Sequence, residues 1–207
     1  MVVDRHVDYR NPEEADELSG PILRAREALS KIGLKTTRVA NGMFMDYFGQ
    51  PNIPGTLRHI KWAIDVAAGR AVIPGTSNEV LFLTYSRDVG RFMARLTDDD
   101  EWSGFSNISG ADTCLNEIVP IAEKVTEDKF HVSYDSIEDI RAGKVTLVSP
   151  DTGSYGEIDA SMMAAMMGSM VINGGMEIPK EGRLNDKYPE IKPMSIEEMM
   201  TAAWSKK

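Results

Sequence analysis

Apolar positions along this chain recur at two periods, and the period switches several times. Leu18, Ile22, Ala25 and Leu29 are spaced by four and three, which predicts an amphipathic helix within Glu13 to Lys31. Pro21 lies inside that span, so the regular helix is expected to start there, with Ser19 as its cap and Gly33 as the glycine that ends it. Lys35 to Ala40 is β-prone through Thr-Thr-Arg-Val and predicts a strand. It breaks at Asn41-Gly42 into an apolar, aromatic run, Met43 to Phe48. Leu57, Ile60, Ile64 and Ala67 return to helical spacing and predict a helix over Thr56 to Ala68, stopped by Gly69. Arg70 to Ile73 and Glu79 to Thr84 read as strands around a Pro-Gly turn region. Val89 to Leu96 reads as a helix capped by Ser86 or Asp88.

The alternation continues. Phe105 to Ile108 predicts a short strand, Leu115 to Val125 a helix started by Thr113, and Phe130 to Tyr134 a further strand. Ser136 with Asp139 resembles a capping box for a short helix ending at Gly143. Tyr155 to Val171 is a helix thick with methionine, and Ser195-Ile-Glu-Glu198 is a capping box opening the last helix, to Trp204. Strands alternating with helices place the chain in the α/β class, read as one α/β unit over 1–207.

Charge narrows the partners. Lys plus Arg is 23 and Asp plus Glu is 32, a net charge of −9. No Lys/Arg stripe interrupts that acidic balance, so nucleic acid is not an expected partner. The longest weakly polar stretch, Ile158 to Ile172, contains Asp159 and is too short to span a bilayer. The N-terminus is charge-rich without a signal-peptide core, and Cys114 is the only cysteine. Together these predict a cytoplasmic protein with no membrane partner and no internal disulfide, Cys114 being a core residue.

Much common chemistry is missing. No Gly-x-Gly-x-x-Gly turn and no Walker loop occurs, so a phosphate cradle is not expected from this chain. His6, His59 and His131 are scattered without carboxylates at ligand spacing, and no metal site is expected. Tyr188 and Lys192 form a Tyr-x-x-x-Lys, but Pro189 and Pro193 deny it the helix that such a pair needs.

The strings "GMFMDYFGQP", "GRAVIPGTSNEVLFLTYSRDVGRFMARL", "LNEIVPIAEKV" and "RLNDKYPEIKPMSIEEMMTAAW" resemble the NmrA-like, isoflavone-reductase-like branch of the atypical short-chain dehydrogenases, fungal members above all. The resemblance runs from about Ser19 to Trp204 and covers the later part of such a protein. It implies an incomplete Rossmann-like fold: later strands of a parallel sheet plus a smaller α/β substrate domain. It also implies NADP(H) as the family's cofactor, with the glycine fingerprint expected upstream of Met1. Family activities are hydride transfer to phenylpropanoid or polyketide-like substrates, or cofactor sensing without catalysis. Where the reductases carry a lysine on the helix before the first strand, this chain has Gly20 and Ile22, with Arg24 the nearest cation. A guanidinium stays protonated and is no general base near neutral pH.

The candidate site rests on the run after Asn41. Met43, Phe44 and Phe48, with Phe82, Tyr85 and Tyr155 from other segments, are candidate walls for an apolar ligand. Tyr47, Asp46 and His59 are candidate catalytic groups, suited to isomerisation, cyclisation or dehydration. Each has a plainer reading: core closure for the aromatics, a helix cap for Asp88, and a solvated or hydrogen-bonded histidine for His59. Met162, Met166 and Met170 share a helix face with Met163 and Met167 beside them, either a plastic binding surface or a face packed on the sheet. Three functions fit: an oxidoreductase-derived enzyme of secondary metabolism acting on an apolar aromatic or polyketide-like substrate, a non-catalytic regulator, or a truncated reductase. The strand Lys35 to Ala40 would lack parallel neighbours, which predicts self-association or a partner chain at that sheet edge.

Overall fold

Strands and helices alternate along residues 19–33, 35–76, 78–150 and 159–206, the parts that the computed structural model describes. Helix α1 (Ser19–Ser30) leads to β1 (Arg38–Ala40), β2 (Met43–Phe44) and the single turn α2 (Asp46–Gly49). Then come β3 (Ile64–Asp65), β4 (Arg70–Pro74), β5 (Leu81–Thr84), α3 (Ser86–Leu96), β6 (Phe105–Asn107), β7 (Ala111–Thr113) and α4 (Leu115–Thr126). The remainder is β8 (His131–Asp135), α5 (Ile137–Arg141), α6 (Ala160–Ile172), α7 (Leu184–Lys187) and α8 (Ile196–Trp204).

The strands join in three small sheets. β1 pairs parallel with β6, Val39 opposite Ser106. β2 runs parallel to β5, which pairs antiparallel with β7. β4 lies between β3, antiparallel, and β8, parallel. A parallel pair needs a crossover, and α3 and α4 lie within the connection from β4 to β8. This mixed α/β architecture is the class that the sequence pattern predicts.

The turn after β1 aims the aromatic run. Gly42 has φ +65°, and a Cβ there would lie 1.9 Å from the carbonyl oxygen of Phe82. Only glycine lets the chain pass so close to β5. Beyond it, strand alternation sends Met43 into the larger core cluster, with Met45, Phe48, Leu83 and Met199. Phe44 packs instead against the second cluster, around Phe92, Ile108 and Tyr188.

One predicted helix is absent. Residues 56–63 are irregular, Ala63 takes φ +57°, and Ile64–Asp65 pairs as a strand with Arg70 and Ala71. Trp62 to Val66 are all buried, so the segment is covered on both sides and its helical spacing is coincidental. Helix α3 begins earlier than expected, at Ser86, while β7 and α7 carry no sequence signal. Of the predicted Tyr155 to Val171 helix, the described part is α6, whose cap is Asp159, accepting from Met162 N at 2.8 Å. Cys114 is half-buried at the cap position of α4 rather than in the core. On α1, Ala25 and Leu29 of the predicted apolar stripe face solvent, and Ile32 just beyond is 66% exposed.

The C-terminal segment is fastened across the molecule. Met194 N donates to Asp88 at 2.7 Å, and Arg91 reaches the carbonyl of Lys192 at 3.1 Å. Tyr188 is not helical; its hydroxyl donates to Asp99, which Lys187 and Arg95 also hold. The capping box at Ser195 and Glu198 is complete, and the indole of Trp204 donates to the carbonyl of Phe48 at 2.8 Å. Among the described residues no helix is long and apolar enough to cross a membrane.

Candidate functional site

Behind the Gly42 turn lies an apolar cavity of about 30 Å³, lined by Met43, Tyr47, Phe48, Ile60, Trp62, Met163 and Met167. Its walls come from β2, α2, the irregular segment before β3, and α6. Met43, Tyr47 and Phe48 are therefore brought together as the aromatic run suggests. Ile60 and Trp62 reach the cavity because their segment is irregular rather than helical. Met163 and Met167 project from successive turns of one face of α6.

The cavity is small beside the roughly 300–1,000 Å³ of small-molecule sites, and admits no more than a water or two. The methionine side chains of α6 are what close it. That helix is apolar and carries no charge, yet only Gly168 and Val171 in it are buried, and Met162 is 57% exposed. Most other side chains of α6 are half-buried, and the thioethers among them are flexible.

The other candidates lie elsewhere. Asp46 is 1% exposed, and both its oxygens are engaged by one residue: Ser86 N at 2.9 Å and Ser86 Oγ at 2.5 Å. It thus caps α3, whose cap residue Tyr85 supplies no side-chain acceptor. Asp88 receives Arg91 and Met194 N instead of capping. His59 is exposed, off any helix, and does not line the cavity. Phe44 meets Tyr47 edge-on at 6.4 Å from the far side. Tyr85 is buried, and burial pushes its phenol above the usual range. Tyr155 lies outside the described residues.

Phe82 borders a different feature, an open groove of about 310 Å³ shared with Val80, Asp112, Glu117 and Lys180. Its ring is covered by the Arg183 guanidinium at 4.9 Å. Two of the groove's carboxylates are occupied: Asp112 by Arg183 at 3.0 Å and Ser109 Oγ at 2.7 Å, Glu117 by Thr113 at 2.8 Å. Among the described residues no group of three His, Cys, Asp or Glu side chains is placed to hold a metal ion.

Sequence alone singles out the methionine helix but misses Trp62 and Ile60. Their role depends on a long-range fold of the segment, and a helical spacing disguises it.

No family model matches the chain. It is 27% identical over 203 residues to the oxidoreductase swnN of Metarhizium robertsii, covering 93% of this chain and 59% of that protein. It is 35% identical over 120 residues to the oxidoreductase swnR of Arthroderma benhamiae, covering 54% and 38%. Among solved structures it superposes on AtPrR2 with NADP+ and (+)pinoresinol at a TM-score of 0.64, with 20% identity, over 89% of this chain and 56% of that one. The leucoanthocyanidin reductase–NADPH complex from Vitis vinifera gives a TM-score of 0.66 with 17% identity, over 95% and 65%. The chain thus spans about three fifths of the length of such proteins. Its fold is the Rossmann-like one of these reductases, and its sequence relatives are oxidoreductases by name, as the motif resemblance implies.

Proposed function

From an isoflavone-reductase-like fold with an apolar cavity beneath a methionine helix, we propose an oxidoreductase-derived enzyme that binds an apolar aromatic or polyketide-like molecule of secondary metabolism. The cavity of Met43, Tyr47, Phe48, Ile60, Trp62, Met163 and Met167 carries this reading. Flat and polarizable side chains suit a flat ligand, and displacement of α6 admits it.

The chemistry this chain supplies is acid–base. Among the lining residues Tyr47 bears the one hydroxyl, and we assign it the proton transfer to a ligand oxygen in an isomerisation, cyclisation or dehydration. A nicotinamide nucleotide is present in the two neighbouring structures, and the β5–α3 junction of this chain is not open to it. Its pyrophosphate needs a free helix N-terminus after a strand, and at the β5–α3 junction the Asp46 carboxylate already takes the Ser86 N–H. A carboxylate there repels phosphate. No step of the proposed chemistry runs through that group.

The test uses methyl-labelled methionine and tetralin, a flat apolar probe. The methyl signals of Met43, Met163 and Met167 are expected to shift saturably, while the exposed Met93 on α3 stays put. Shifts confined to exposed methionines would overturn the site. The scarcity of acid–base groups around the cavity also favours a second reading, a ligand-binding regulator without turnover. Loss of turnover in Tyr47→Phe with binding retained would decide for the enzyme.

A further inference from the structure

The sheet of β3, β4 and β8 ends in an open edge: among the described residues β8 pairs with β4 alone. His131 N donates to the carbonyl of Gly69 at 2.8 Å, and the carbonyl of Asp135 accepts from Gly75 N at 3.0 Å. His131, Ser133 and Asp135 therefore turn their backbone groups toward β4, and by alternation Val132 and Tyr134 turn theirs to the open side. Native edges are commonly blunted by lysine, proline or a bulge, and the unbroken run His-Val-Ser-Tyr-Asp has none of these. Tyr134 shares a face of the strand with Val132, which packs on the larger core cluster, yet Tyr134 is 59% exposed.

The strand is its own complement. Two copies of β8 laid antiparallel about a two-fold axis at Ser133 set Val132 opposite Tyr134 of the second copy, in the hydrogen-bonded pairs that their outward backbone groups require. The same register sets His131 opposite Asp135 of the second copy in a non-hydrogen-bonded pair, where side chains approach most closely. Histidine carries an N–H donor in either protonation state, and a carboxylate can accept several hydrogen bonds. Thr146 holds the Asp135 carboxylate in place, its N and Oγ each donating at 2.8 Å, and leaves it acceptor capacity. Among the described residues neither His131 nor Asp135 has an ion-pair partner within the chain. A slip of two residues, the smallest that keeps the backbone groups facing, separates His131 from Asp135.

We propose that β8 is a self-recognition edge: its partner is a second copy of this chain, paired antiparallel about a two-fold axis so that three strands from each copy join in one sheet. The symmetry repeats each contact, so both His131–Asp135 pairs form together.

The test follows association of the full chain by sedimentation velocity over a micromolar concentration series. Wild type is expected to dimerise. His131→Asp, which sets like charges opposite each other twice, should weaken the dimer about tenfold or more, while His131→Lys should keep it. Tyr134→Pro removes an outward N–H and spares the ladder to β4, so it should leave a monomer. Cross-linking tests the register in a Cys114→Ser background. Ser133→Cys brings two thiols face to face with Cα atoms about 4.5 Å apart, within disulfide reach, and mild oxidation should join the copies. Tyr134→Cys displaces them by two residues along the strands, and should not be joined. Association through β1 would survive His131→Asp and Tyr134→Pro, so the variants tell the two edges apart. A wild type that stays monomeric, association that both variants leave unchanged, or cross-linking as strong in Tyr134→Cys as in Ser133→Cys would overturn the proposal. If Tyr134→Pro does not fold, His131→Asp and the cross-linking decide.

Discussion

Gly42 and Gly143 separate two causes of the same substitution cost. Both have positive φ, +65° and +72°, but a Cβ at Gly143 meets nothing within 4 Å whereas one at Gly42 meets the Phe82 carbonyl. Gly143→Ala should therefore cost only the left-handed backbone penalty, about 1–2 kcal/mol. Gly42→Ala should cost more than about 3 kcal/mol, because the backbone of β2 and β5 must separate. Urea denaturation of the two variants measures the difference; equal midpoints would show that the Gly42 contact relaxes freely. Asp46 offers a second test at this scale. Its carboxylate takes two hydrogen bonds from Ser86, so Asp46→Ala should cost about 2 kcal/mol or more through the uncapped α3, whatever happens to activity.

Elements are legible where their pattern has one period and one buried face. The α3 helix, which buries Val89, Phe92 and Leu96, and the capping box of α8 follow from local sequence. Where burial is two-sided the pattern misleads. Leu57, Ile60, Ile64 and Ala67 imitate a helix, yet what the fold buries is the continuous run Trp62 to Val66, with Ala67 exposed. β7 and α7 are too short to carry a period at all. At the site, Met43, Tyr47 and Phe48 can be found because they cluster in sequence. Trp62 cannot, because it arrives through tertiary contacts. The same locality predicts that Ser195→Ala removes the cap oxygen of α8 and costs about 1 kcal/mol, read from the denaturation midpoint.

Across the whole molecule, Asp99 joins α3 to the C-terminal segment. Hydrogen bonds from Lys187 first, then Tyr188, hold its carboxyl down to about 2. An unfolded aspartate titrates at about 3.9, so the stabilisation is full above that pH and is lost as pH falls through the folded value. Wild type should exceed Asp99→Asn in stability at about pH 5, and the gap should close between about pH 3.9 and 2. A gap independent of pH would show that packing, not charge, holds the segment. The edge of β1 acts at this scale too. Arg38 N and Ala40 O bond toward β6, so by strand alternation Val39 presents its N–H and C=O to the other side, and β1 pairs with β6 alone among the described residues. Self-association at that edge is expected, and light scattering at low micromolar concentration checks it.

The indole of Trp204 steadies the Phe48 carbonyl, and the Phe48 side chain lines the apolar cavity, so α8 is mechanically continuous with that cavity. A change on α8 that never touches the cavity, Trp204→Phe, would then loosen one of its walls by removing a single donor.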